Sequence, residues 1–174
     1  QLLEPTGDDA DLLDQIRDDV FEDRVYGVSP KGDVVELPAG ATPLDFAYHV
    51  HTQVGHRCRG AKVNGRIVPL TYHVQNGDKI EIITGGQAQP SRDWLSPHHG
   101  YITTSKARNR IRQWFKQLDY DRYVSEGKVL LEKELARLGI EERPQLDEIG
   151  RRYNFHRGDD VLAALARGEL AVGQ

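Results

Sequence analysis

The sequence contains no methionine, one cysteine and two tryptophans in 174 residues. A single thiol, Cys58, cannot close a disulfide within the chain and cannot alone build a thiolate metal centre, which points to a reducing, cytoplasmic setting. No apolar run approaches the roughly 18 residues that would span a bilayer, and no charged, apolar, then small-residue leader opens the chain. Membrane insertion and secretion have no support in the sequence. A chain that begins at Gln1 without an initiator is expected to belong to a longer protein. Also missing are the phosphate loops G-x-x-x-x-G-K-[ST] and G-x-G-x-x-G, the nucleophile elbow G-x-S-x-G and the zinc-protease signature H-E-x-x-H. The common nucleotide-binding and hydrolytic chemistries are therefore unsupported, and no catalytic residue or cofactor is expected here.

What is present is charge, unevenly spread. The formal net charge of −4 would by itself argue against a nucleic-acid partner. Residues 1–23 hold nine acids against the single base Arg17, a balance of −8. Residues 24–85 come to +2, residues 86–123 to +4 and residues 124–174 to −2. A basic centre is masked by an acidic leader, so the blocks need separate readings.

The periodicity changes along the chain in the same places. Asp11 to Phe21 spaces Leu12, Ile16 and Val20 four apart, which predicts a short helix, the end of a preceding domain. From Arg24, two β-rich runs flank Pro30-Lys31-Gly32-Asp33, a hairpin, with Gly27 expected to mark a bulge. Thr42-Pro43-Leu44-Asp45 is a helix start: Thr42 caps, Pro43 takes the first position and Asp45 lies three residues after the cap. That helix is expected to run to Val54 and stop at Gly55. Strands follow over Arg57–Val63, Arg66–Leu70 and Lys79–Thr84, with Asn64-Gly65 a type I′ turn. The order β-β-α-β-β-β predicts a sheet crossed by one helix, ubiquitin-like. Gly85 to Ser91 reads as a linker. Helices are expected over Ser105–Leu118, Arg122–Leu138, Leu146–Arg152 and Asp159–Arg167, the first capped by Thr103 or Thr104.

Three clusters could carry chemistry. His49, His51, His56 and Cys58 have zinc-ligand types, but His49 and His51 lie about 200° apart on the expected helix, which opposes a shared ion. His51 falls with Leu44, Ala47 and Tyr48 on one helical stripe, which suits a rim-of-core role. In the last helical turn it could instead stack on a base or donate to a phosphate or ribose, with the helix's negative end favouring imidazolium. In Ser105–Leu118, Arg108, Arg112 and Lys116 share a narrow arc beside an apolar stripe of Ala107, Ile111, Trp114, Phe115 and Leu118, while Lys106 and Arg110 flank the far side. Such a row can track a phosphate backbone.

Pro30 to Thr84 closely resembles the TGS domain of long RelA/SpoT-type (p)ppGpp synthetases, GTP diphosphokinases of the stringent response. P-K-G-D, L-P-x-G-x-T-P-x-D-F-A-Y-x-x-H, V-G-H-R-C, G-A-K-V-N-G-R-I-V-P and N-G-D-x-I-E-I-I-T occur in order. R-D-W-L-x-P-x-x-G-Y-x-T-T-S and R-Y-N-F are similar to the helical domain that follows, in wording nearer the RelA type than the SpoT type. The resemblance implies an α+β chain: an acidic leader (1–22), a small β-grasp TGS domain (23–85) and a small all-α helical domain (86–174). It implies a regulatory region, itself without catalysis, that senses deacylated tRNA on the ribosome through the 3′ CCA end. Attachment of an aminoacyl group would cause a clash there. His51 matches the family's CCA-contacting histidine. The expected CCA-end set is His51, Tyr48, His56, Arg57 and Lys62, and the expected RNA-backbone set is Arg108, Arg112, Lys116, Lys106 and Arg110. Partners on this reading are tRNA, ribosomal RNA and, within the parent, the synthetase domain. Two alternatives stay open: docking of acyl carrier protein, as in the SpoT-type branch, through Arg57, Arg59, Lys62 and Arg66, and a metal site on the histidine cluster.

Overall fold

The structure, a computed structural model, describes residues 23–141 and 145–170. The acidic leader and the helix expected over Asp11 to Phe21 lie outside the described residues. The chain divides between Trp114 and Phe115 into two compact units. The first takes in the sheet domain expected over 23–85 and, beyond it, residues 86–114.

In the first unit, β1 (Arg24–Val28) and β2 (Val34–Pro38) form the expected hairpin, its turn using Gly32 at φ 91. The ladder runs unbroken from Arg24 opposite Pro38 to Val28 opposite Val34, so the bulge expected at Gly27 is absent. Close packing explains that glycine: a Cβ there would stand 3.0 Å from both Phe46 and Ile80. A register shift occurs instead between Cys58 and Gly60.

The capping box predicted helix α1 (Pro43–Val50), and both reciprocal bonds between Thr42 and Asp45 are present. The helix does not reach Val54. It stops at His51, whose backbone is extended (φ −165, ψ 143), and a separate short helix, α2 (Thr52–His56), follows. Nothing in V-H-T-Q-V-G-H is a proline or an early glycine, so composition carried no sign of the break.

The remaining strands are β3 (Cys58–Val63), β4 (Arg66–Val68) and β5 (Ile80–Thr84). Asn64 and Gly65 both take positive φ, 53 and 83, as a type I′ turn requires. β3 pairs with β4 and β5, and a parallel bridge from Val28 to Lys79 brings β1 beside the start of β5. The resulting order, β2-β1-β5-β3-β4 with α1 packed on β2, β3 and β5, is a β-grasp. Leu37, Ala41, Phe46, Val63, Val74 and Ile80 form its core. Each large apolar side chain buried here contributes about 1.5–3 kcal/mol.

Residues 86–114 are joined to this body through the Asp45 carboxylate and through the Thr42 hydroxyl, which donates to the Tyr101 carbonyl (2.6 Å). Asp45 is fully buried and accepts from the amides of Thr42 (3.0 Å), Thr103 (3.0 Å) and Thr104 (3.2 Å). The hydroxyls of Thr103 (2.8 Å) and Thr104 (3.0 Å) donate to it as well. Thr104 Oγ1 in turn accepts from the Ala107 amide, capping the next helix as expected.

That helix, α3 (Ser105–Leu138), is continuous, where two helices were expected. Asp119-Tyr120-Asp121 contains no glycine or proline, and Gln117–Asp121 and Arg122–Glu126 side-chain pairs carry the helix through it. Ala107, Ile111 and Phe115 are buried as the stripe predicts, but Leu118 is 43% exposed.

The second unit, taken alone, packs α4 (Leu146–Arg152) against α5 (Gly158–Ala166), with Val161 to Leu165 buried. Gly127 of α3 lies directly on the Leu162 backbone, where any Cβ would overlap the carbonyl. Tyr120 donates to Asp160 (2.5 Å) and receives a hydrogen bond from Arg157 (3.0 Å).

Candidate nucleic-acid interface

His51 occupies the joint between α1 and α2 and serves both helices. Its amide donates to the Ala47 carbonyl at the end of α1, and its Nδ1 accepts from the Gln53 amide (3.0 Å) at the start of α2. The ring therefore caps the positive end of a helix, rather than sitting in the negative last turn as an imidazolium. With Nδ1 unprotonated, the exposed ring presents Nε2–H outward as a donor.

Two residues expected beside His51 stand behind the surface. Tyr48 is 1% exposed and His56 8%, and a 3.0 Å hydrogen bond joins the Tyr48 hydroxyl to His56 Nδ1. The rings meet edge-on at 5.3 Å, and Gly55 leaves room for the Tyr48 ring, which a Cβ would strike. Burial pushes the Tyr48 hydroxyl well above its ordinary value, with Cys58 adding to the shift. Burial also pushes the Cys58 thiol up to about 11, which leaves it unreactive. His56 is held below its ordinary 6.5, first by burial and then by the Arg110 guanidinium. The Trp114 ring lies 6.2 Å from it.

The basic residues separate into groups. Arg57 caps the end of α2 and is exposed, and Lys62 is half-buried on β3, opposite Glu81 of β5. On α3, Arg110 lies one turn before Trp114 and acts on His56. Arg108 and Arg112 are about 200° around the helix from it. Arg112 and Lys116 are exposed, Arg108 and Lys106 half-buried, and Lys116 belongs to the second unit. Among the described residues no three histidine, cysteine or acidic side chains come together as metal ligands.

Sequence reasoning missed a groove of 480 Å³ in the first unit. Phe46, Ile80 and Ile82 line it together with Lys31, His49 and Val54. Among the described residues β5 pairs in its ladder only with β3. The groove follows Ile80–Ile82, and its volume suits a nucleotide-sized ligand. The lining converges from four elements, so no local pattern announced it.

A β-grasp sheet whose helix ends in an exposed histidine is followed along the chain by a helical unit. Residues 25–84 match the TGS domain family and residues 114–174 the RelA/SpoT AH domain family. The chain thus carries a TGS domain followed by a RelA/SpoT AH domain. It is 52% identical over 171 residues to a GTP pyrophosphokinase of Escherichia coli K12, covering 98% of this chain and 23% of that protein. A GTP pyrophosphokinase of Haemophilus influenzae is 48% identical over 165 residues, 95% of this chain and 22% of the relative. A guanosine-3′,5′-bis(diphosphate) 3′-pyrophosphohydrolase of Aquifex aeolicus is 41% identical over 162 residues, 93% and 23%. The chain thus spans under a quarter of the length of these relatives.

Proposed function

We propose that this region reads the 3′ CCA end of deacylated tRNA on the ribosome and relays its presence to the synthetase domain of a cytoplasmic (p)ppGpp-forming GTP pyrophosphokinase. The observation that carries the reading is His51: exposed, fixed by its own capping bond and offering one N–H donor. Arg57 and Lys62 supply cations for adjacent phosphates, while Tyr48 and His56 hold the α1–α2 joint from behind. The groove along Ile80–Ile82 suits a terminal nucleotide, and a tight terminal seat would discriminate against an added aminoacyl group by exclusion. Arg108, Arg112, Lys116, Lys106 and Arg110 are the cations for backbone contacts along tRNA or ribosomal RNA.

Docking of acyl carrier protein is the second reading. Arg57, Arg59 and Arg66 are exposed, which favours it, but Glu81 opposite Lys62 interrupts the basic strand face that an acidic partner needs.

The deciding experiment is a competition between aminoacylated and uncharged forms of one tRNA for the chain. Tighter, salt-sensitive binding of the uncharged form is expected. Equal affinities overturn the proposal, as does a preference that survives His51→Glu.

A further inference from the structure

The second unit has ten basic and twelve acidic side chains, yet the nine residues from Gly150 to Gly158 hold three arginines and a histidine and no carboxylate. They form the last turn of α4, the connection that follows it and the first residue of α5. α4 ends in a Schellman arrangement: Asn154 is left-handed (φ 65), the Phe155 amide donates to the Gly150 carbonyl (2.7 Å) and the Asn154 amide to the Arg151 carbonyl (3.4 Å). Phe155 is drawn partly inward at Gly150, and Arg151, Arg152, Asn154 and His156 are left exposed. Tyr153, a large ring, keeps 40% of its surface exposed.

The arginines differ in what occupies them. Arg157 is committed to the Tyr120 hydroxyl and to Asp160 at 3.6 Å. The side chains of Arg151 and Arg152 make no ion pair or hydrogen bond among the described residues, although Asp147 and Glu148 stand four positions before them. Asp147 instead accepts from the Gly158 amide (2.6 Å). The left-handed position would be served best by glycine, and it carries an amide side chain.

We infer that this turn is a second RNA-binding surface, built for an unpaired nucleotide. Tyr153 offers its ring to a base, and Arg151 and Arg152 neutralise the flanking phosphates. Asn154 and His156 supply donors and acceptors for a base edge or a ribose 2′-hydroxyl. An acidic peptide would use the arginines but gives no role to an exposed ring between them. The inference rests on reading the region as RNA-binding, but it involves neither His51 nor the CCA terminus.

The test is fluorescence anisotropy of the whole 174-residue chain with a short single-stranded oligoribonucleotide that does not end in CCA. Tyr153→Ala should weaken binding about fivefold or more, while Tyr153→Phe retains it. Arg151→Gln with Arg152→Gln should flatten the log–log salt slope by about 1.4, the share of two single-strand phosphates. Failure of the wild-type chain to bind, or equal binding by wild type and a folded Tyr153→Ala chain, overturns the inference. Tighter capture of polyglutamate than of the oligonucleotide also overturns it and assigns the turn to an acidic protein. The tRNA competition read on the same variants separates the two proposals. A charged-versus-uncharged preference that persists in Tyr153→Ala belongs to His51, and its absence from wild type leaves the oligonucleotide result standing.

Discussion

The two units are held together by different means. The first buries two carboxylates and surrounds them with donors: Asp45 collects five, and Asp78 accepts from Asn64, Tyr72 and the Gln75 amide. The second relies on close backbone approach, Gly127 against Leu162, and keeps most of its charge on the surface. A saturated buried carboxylate fixes geometry, because every donor around it must move if it moves. Close helix packing without such a knot depends on the absence of a single methyl group. On the function proposed above, telling a free from an aminoacylated 3′ end would gain from the first kind of rigidity, and clamping a single nucleotide would need only the second.

The largest test of that contrast is Asp45→Ala, which leaves the buried Thr42 amide, the buried Thr104 amide and hydroxyl, and the Thr103 amide and hydroxyl without their acceptor. A loss of about 3–4 kcal/mol is expected. Both tryptophans, Trp94 and Trp114, belong to the first unit, so denaturant unfolding followed by their fluorescence reports it selectively. A shift below about 1 kcal/mol would show that water replaces the carboxylate and that the knot does not hold residues 86–114.

The next tests set one glycine against another. Gly127→Ala drives a methyl into the Leu162 carbonyl, which is backbone and cannot rotate away, and should cost about 2–3 kcal/mol despite alanine's better helix propensity. Gly55→Ala meets the Tyr48 ring, a side chain with some freedom to shift, and should cost about 1–2 kcal/mol. Far-UV circular dichroism should detect the first and tryptophan fluorescence the second. Reversal of the order would mean that the Tyr48–His56 pair is more rigid than the helix packing of the second unit.

Local signals were legible in the sequence and long-range ones were not. Thr42-Pro43-Leu44-Asp45 declared a helix start, and Asn64-Gly65 a hairpin, because each is satisfied within a few residues. The same Asp45 binds Thr103 and Thr104, 58 and 59 positions away, which no periodicity encodes. Gly27 had the look of a bulge because its reason, Phe46 and Ile80, is tertiary. The break at His51 is made by a ring nitrogen capping Gln53, a part that histidine plays too rarely to be read from spacing. At the candidate site, motif wording singled out His51, but burial of Tyr48 and His56 and the groove along Ile80–Ile82 needed the fold.

His56 provides the smallest of these tests and the one most specific to the first unit. Its folded value lies below the ordinary 6.5 because burial, then Arg110, disfavours the imidazolium. The unfolded chain therefore binds a proton more readily than the folded one as pH falls below about 6.5. Stability from this residue is complete above that point and declines through the interval down to the folded value, where the slope ends. The tryptophan-reported midpoint should fall modestly with acidification in this window, and His56→Gln should flatten the slope. A slope that survives the substitution would move the acid sensitivity to another group and leave the Tyr48–His56 pair as packing alone.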